Sequence, residues 1–131
     1  MKTDIIIAIL LLTFGIANAQ KVASVESGGK LQICNLSSSN NISACRTIET
    51  SGIIAASISN NKIAIVNTSG NMQICSITSY NGTSNCRTIE TSGVSNVKMP
   101  IDQRIIITYT NGKKSACSVT SYNSTSNCRT L

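Results

Sequence analysis

The chain has no histidine and no tryptophan, one proline (Pro100), one phenylalanine (Phe14) and three tyrosines among 131 residues. Without histidine there is no common general base at neutral pH and no serine–histidine dyad. The lack of histidine, together with the lack of any Cys-x-x-Cys pair, also argues against a zinc-type metal site, and no cofactor is expected. Without aromatic bulk the core must be built from Ile, Val, Ala and covalent bridges. Acidic residues are scarce as well: five against eleven Lys and Arg, for a formal charge of +6. Beyond residue 19 the carboxylates are Glu26, Glu49, Glu90 and Asp102. Glu49 and Glu90 hold equivalent places in a repeat, so they stand a repeat apart, which suits no close carboxylate pair. Catalysis is therefore not expected. Nucleic acid is a poor partner, because the basic residues have no interleaved aromatics on which bases could stack.

What the chain does have is a repeat. Residues 34–50 read CNLSSSNNISACRTIET, residues 75–91 CSITSYNGTSNCRTIET and residues 117–130 CSVTSYNSTSNCRT. The copies lie 41 and then 42 residues apart, and periods of 20–50 residues mark repeat architectures. The cysteines pair off as Cys34/Cys45, Cys75/Cys86 and Cys117/Cys128, always with ten residues between. The chain opens with Lys2, an apolar run from Ile5 to Ala17 and the small-x-small triplet Ala17-Asn18-Ala19. These are the three parts of a secretory signal peptide. The run is too short to span a bilayer, which takes about 20 residues. The expectation is a cleaved signal over residues 1–19, no membrane span after cleavage, and a secreted or periplasmic protein in which six cysteines form one local bridge per repeat.

Residues 20–131 are then a single domain of three repeats, 20–52, 53–93 and 94–131. The middle repeat reads as four strands: Ile53–Ser59, Lys62–Thr68, Met72–Thr78 and Cys86–Thr91. They are separated by Asn60-Asn61, Ser69-Gly70 and the turn around Tyr80-Asn81-Gly82. Short β-branched runs between Asn, Gly and Ser turns are hairpin signals. Ile63 to Val66 is apolar without alternation, so both faces of that strand should be covered. The third repeat follows the same plan: Val94–Met99, Arg104–Thr110, Ser115–Thr120 and Cys128–Leu131. Aligned on the cysteines, Lys21 falls against Lys62 and Arg104, so the first repeat starts at the second strand and the total is eleven strands. The expected class is all-β, with three antiparallel meanders of about 41 residues, the first lacking its first strand. A β-trefoil or β-prism is the alternative, since both also use three repeats of this length.

The run Ile63–Cys75 (IAIVNTSGNMQIC), with the hairpin that follows to Cys86, resembles the YVTN-type β-propeller repeat. The resemblance extends over Lys21–Leu131. It implies blade-like four-stranded units and, through some members, a lactonase-like activity, although no residue here matches a catalytic position. Propellers typically have four to eight blades. Three blades with open faces imply association of chains into a larger array.

Basic residues recur with the repeat. Lys21, Lys62 and Arg104 share one position, and Arg46, Arg87 and Arg129 share another, just after the second cysteine. Such a pattern can grip anionic surfaces or glycans through many weak contacts; its alternative reading is solvated strand ends that discourage edge pairing. The hairpin tips Tyr80-Asn81 and Tyr122-Asn123 join an aromatic face to an amide, as sugar sites do, although Asn and Gly also simply make turns. The first repeat has Ser39-Asn40-Asn41 there. Five Asn-x-Ser/Thr triplets begin at Asn35, Asn41, Asn67, Asn81 and Asn123; with this composition about four arise by chance, so they carry no weight. The sequence thus points to an exported, disulfide-stapled binding protein, lectin- or adhesin-like, for a glycan or anionic ligand. A self-associating structural protein comes second and a lactonase-like enzyme last.

Overall fold

The computed structural model describes residues 20–101 and 103–131. The expected signal segment and Asp102 lie outside the described residues. Eleven strands are present there: β1 Gln20–Val25, β2 Leu31–Leu36, β3 Ile42–Glu49, β4 Ile53–Ser59, β5 Lys62–Asn67, β6 Met72–Ile77, β7 Thr83–Glu90, β8 Val94–Lys98, β9 Arg104–Tyr109, β10 Lys114–Val119 and β11 Thr125–Thr130. They form three antiparallel meanders, β1-β2-β3, β4-β5-β6-β7 and β8-β9-β10-β11, one per repeat. No helix occurs among the described residues. Composition explains this, because Thr, Ser, Asn, Val and Ile are mediocre helix formers and the β-branched ones fit a pleated surface.

The strand positions match the sequence reading closely except at the outer strand. β7 begins at Thr83 rather than Cys86, so the loop before it shrinks to residues 78–82. The cause is the turn chemistry. Asn81 N donates to Thr78 O at 3.1 Å, Thr78 N to Gly82 O at 2.9 Å and Gly82 N to the Thr78 hydroxyl at 3.0 Å. Asn81 adopts the left-handed conformation, φ 64°, which asparagine tolerates better than most residues. This is a three-residue hairpin loop, and it recurs with Asn40 at φ 66° and Asn123 at φ 62°.

Each cysteine pair bridges the two strands of this hairpin, with Cα atoms 4.0, 4.0 and 4.1 Å apart for Cys34–Cys45, Cys75–Cys86 and Cys117–Cys128. The bridged positions are not simple facing pairs. In the first repeat the register runs Ile33↔Arg46 and then Asn35↔Ser43, leaving Ala44 and Cys45 opposite Cys34. The same shift occurs in the other two repeats. The extra residue is Ala44, Asn85 or Asn127, with φ of 54°, 53° and 52°. A bulge of this kind withdraws a residue from the ladder and frees its backbone groups.

The sheets stack face to face. On the middle sheet Ile63, Ile65 and Cys75 pack with Leu31, Ile33 and Ile53 of the first junction. The opposite face, with Ala64, Val66, Met72 and Ile74, packs on Val94, Val97, Met99, Ile105 and Ile107 of the third repeat. The unbroken apolar run of β5 is therefore covered on both sides, as its sequence implied. A trefoil or prism gives each repeat one face toward a shared core and has no place for a middle sheet covered twice. The inner strands meet directly: β4 packs on β8 and β1 on β4. Small residues make this approach close, and the Ser57 hydroxyl accepts a hydrogen bond from Met99 N at 2.9 Å. Turn and linker meet as closely. A Cβ on Gly70 would lie 2.6 Å from Gly93 N, and one on Gly29 would lie 2.4 Å from Gly52 N. The contact is a backbone bond, Val94 N to Gly70 O at 3.1 Å and Ile53 N to Gly29 O at 3.1 Å.

Candidate functional site

The bulge beside each disulfide turns a strand irregularity into a repeat-to-repeat contact. Its freed carbonyl accepts a hydrogen bond from the side chain of the hairpin-tip asparagine in the next repeat. Asn81 Nδ2 donates to Ala44 O at 2.8 Å and to Asn35 Oδ1 at 3.1 Å. One repeat on, Asn123 Nδ2 donates to Asn85 O at 2.8 Å and to the Ser76 hydroxyl at 2.9 Å. The amide oxygens are met by lysines of the preceding repeat: the Lys21 ammonium donates to Asn81 Oδ1 and Lys62 to Asn123 Oδ1. Lys21 also donates to Asn35 Oδ1 at 3.0 Å. Both asparagines are only 1% exposed, and a buried amide is tolerated because its oxygen and nitrogen are both paired.

Two equivalent clefts open where these latches reach the surface. The first, of about 410 Å³, is lined by Asn35, Ala44, Cys45, Arg46, Tyr80 and Asn81. The second, of about 440 Å³, is lined by Ser76, Asn85, Cys86, Arg87, Tyr122 and Asn123. In each, an arginine of one repeat faces the hairpin tip of the next. Arg87 Nε donates to Tyr122 O at 3.2 Å, and the Arg46 side chain runs past Gly82, whose Cβ would sit 3.8 Å from Nε. The tyrosine rings stay out in solvent, 80% exposed at Tyr80 and 78% at Tyr122.

The ten residues singled out in the sequence thus divide into three groups. Lys21, Arg46, Tyr80 and Asn81 come together at the first junction, and Lys62, Arg87, Tyr122 and Asn123 at the second. Arg104 and Arg129 hold the matching positions of the third repeat, both exposed. Within the two built clefts the work is split. The lysine and asparagine polar atoms face one another inside the junction, where the lysines are half-buried, and arginine and tyrosine are the exposed members of each set. The side-chain nitrogens of Asn81 and Asn123, which open two of the five Asn-x-Ser/Thr triplets, are both engaged inside the junctions.

Sequence reasoning missed the acceptors Ala44, Asn85, Asn35 and Ser76. One signal was available: Asn85 and Asn127 stand immediately before the second cysteine, and asparagine favours the left-handed conformation a bulge requires. Tyr109 was also missed. Its hydroxyl donates to Glu90 Oε2 at 2.9 Å across the second junction. Partial burial and then the Glu90 carboxylate raise its pKa above the usual tyrosine value.

Among the described residues all cysteines are bridged, and no group of three His, Cys, Asp or Glu could hold a metal ion. No protein-family model matches the chain, and no curated protein matches it significantly.

Proposed function

We propose that this is an exported, non-catalytic binding protein that holds an acidic glycan through its two arginine–tyrosine clefts. The observation that carries the reading is the recurrence of one arrangement, an exposed tyrosine ring beside an exposed arginine at the mouth of each junction, above a bridged cysteine. A guanidinium matches sulfate or carboxylate in a planar, two-pronged geometry. An exposed aromatic face supplies the apolar platform a sugar ring can lie on. Neither ring is used for core packing, although aromatic area is rare in this chain. Two like clefts on one rigid stack let a repeating polymer engage both, so affinity gains from effective concentration. The formal charge of +6 favours approach of a polyanion. Three disulfides fit an oxidising compartment.

The proposal keeps the blade-like relation to the YVTN repeat as a statement about architecture and leaves out the lactonase-like activity. Every described cysteine is in a disulfide, so among the described residues no free thiolate is offered, and Glu90, engaged by Tyr109, stands a repeat away from its counterpart Glu49.

Calorimetric titration with a sulfated oligosaccharide and with its desulfated form tests the proposal. Binding should favour the sulfated form and weaken with salt. The doubles Arg46→Ala/Arg87→Ala and Tyr80→Ala/Tyr122→Ala should each lose about tenfold or more, corresponding to at least ~1.4 kcal/mol. Equal binding of both sugars, or a titration unmoved by either double, would overturn it.

A further inference from the structure

The latch that joins the repeats occurs twice inside the chain, and both halves of a third are built at opposite ends. Asn123 is held by Lys62, Ser76 Oγ and Asn85 O. One repeat further on, Arg104, Ser118 and Asn127 stand in those places. Asn127 has φ 52° against 53° for Asn85, so the bulge that frees the carbonyl is already formed. Arg104 and Asn127 are exposed and Ser118 is half-buried. At the other end, Asn40 crowns a hairpin tip like those of Asn81 and Asn123. Its N donates to Ser37 O at 3.0 Å, matching 3.1 Å in the other two. Its φ of 66° matches 64° and 62°. It differs only in being exposed, where Asn81 and Asn123 are buried.

We propose that copies of this chain associate head to tail, the Asn40 tip of one copy entering the Arg104–Ser118–Asn127 notch of the next. The occupant is a second copy because the contact continues one already made twice within the chain. Charge supports the same pairing. In the second junction Met72 pairs with Glu90 across the sheet, and Glu90 accepts from Tyr109 of the following repeat. The position of Met72 is taken in the third repeat by Lys114, and that of Tyr109 in the first by Glu26. Stacking one copy on another in the same register brings Lys114 beside Glu26 of its neighbour, opposite charges where the internal junction is neutral at Met72. The end faces are also more polar than the internal ones: Thr108 and Lys114 replace Val66 and Met72, and Val22 and Ser24 replace Ile63 and Ile65. The association is therefore reversible and salt-sensitive rather than permanent. A head-to-tail contact is heterologous, so it closes into a ring if the rotation per copy allows and otherwise grows. It does not complete a third arginine–tyrosine cleft, because Ser39 stands where Tyr80 and Tyr122 do, and so it is independent of glycan binding.

Sedimentation velocity of the full chain without ligand, over a wide concentration range at low and high salt, tests this. The mass should rise with concentration and fall with salt. Asn40→Gly keeps the left-handed turn but removes the amide, and it should weaken association at least tenfold with the melting temperature unchanged. Glu26→Lys and Lys114→Glu should each weaken it alone and restore it when the two variants are mixed. A chain that stays monomeric to several hundred micromolar, or an oligomer indifferent to Asn40→Gly and to both charge reversals, would sink the proposal.

Discussion

The junction between the first and second repeats and the junction between the second and third use the same polar latch over unequal apolar fillings. In both, a buried asparagine amide joins a bulge carbonyl, and a lysine ammonium meets its oxygen. Beneath it, the first junction buries Leu31, Ile33, Ile53, Ile63, Ile65 and Cys75. The second buries eleven residues, adding two methionines and four valines, and carries the Tyr109–Glu90 bond besides. The difference follows from which strands meet. In the second junction two inner strands, β4 and β8, face each other, whereas in the first β4 meets β1, the counterpart of β5. The polar contact therefore sets where one repeat sits on the next, and the apolar contact sets how firmly. A polar group that must find its partner specifies register, because leaving it unpaired costs about 1–3 kcal/mol. Burying more methylenes adds strength without direction.

The largest effect is expected from removing the disulfides, since each bulge lies beside a bridged cysteine and both junctions depend on it. Each bridge closes a short loop and contributes roughly 3 kcal/mol in the chain-entropy model. Three together rival a typical net stability of about 5–15 kcal/mol. A melt with reductant should collapse by tens of degrees, and an unchanged melt with six titratable thiols would break the assignment. Next comes a pair of glycines in equivalent turns. Gly112→Ala meets nothing within 4 Å and pays only for its φ of +86°, roughly 1–2 kcal/mol. Gly70→Ala pays that and also drives a methyl group into Gly93 N, so urea titration should show about 1–3 kcal/mol more.

The comparison sharpens with the asparagines. Asn81→Gly and Asn123→Gly should each cost about 1–3 kcal/mol, whereas Asn40→Gly should stay within ~0.5 kcal/mol in dilute solution. Equal losses at the first two positions would show that the latch acts independently of the filling below it, and a much larger loss at one would show the filling in control. The smallest effect belongs to the second junction alone. Burial, and then Glu90, raise the Tyr109 pKa, so the folded state favours the protonated phenol. Its contribution is complete below the ordinary tyrosine pKa of about 10 and is lost as pH rises through the higher folded value. The denaturant midpoint of the protein should therefore fall more steeply in alkali than that of Tyr109→Phe, and parallel curves would remove Tyr109 from the account.

Much of the architecture was legible because it is local. Ile53–Ser59 was bounded to the residue by the turns on either side, and the unbroken Ile63–Val66 run announced a strand covered twice. The cysteine spacing gave the pairing, but the bulge opposite each first cysteine was not foreseen, because a one-residue shift in register leaves no mark on hydrophobic alternation. The site was legible as a set of residue types and not as an arrangement. Asn81 and Asn123 looked like surface amides beside tyrosines. They are buried because a neighbouring repeat presents a carbonyl and an ammonium 37–61 residues away in the chain, a separation no short-range pattern encodes.

From its own composition and period the polypeptide determined three stapled hairpin units and the absence of the usual proton-transfer histidines, since strand, turn and bridge depend on residues within about a dozen positions. Only the stacking of one unit on the next decided which polar groups are used up inside and which face water. That choice depends on the distance between surfaces brought together by burial, and it left arginine and tyrosine at the clefts while drawing lysine and asparagine into the junctions.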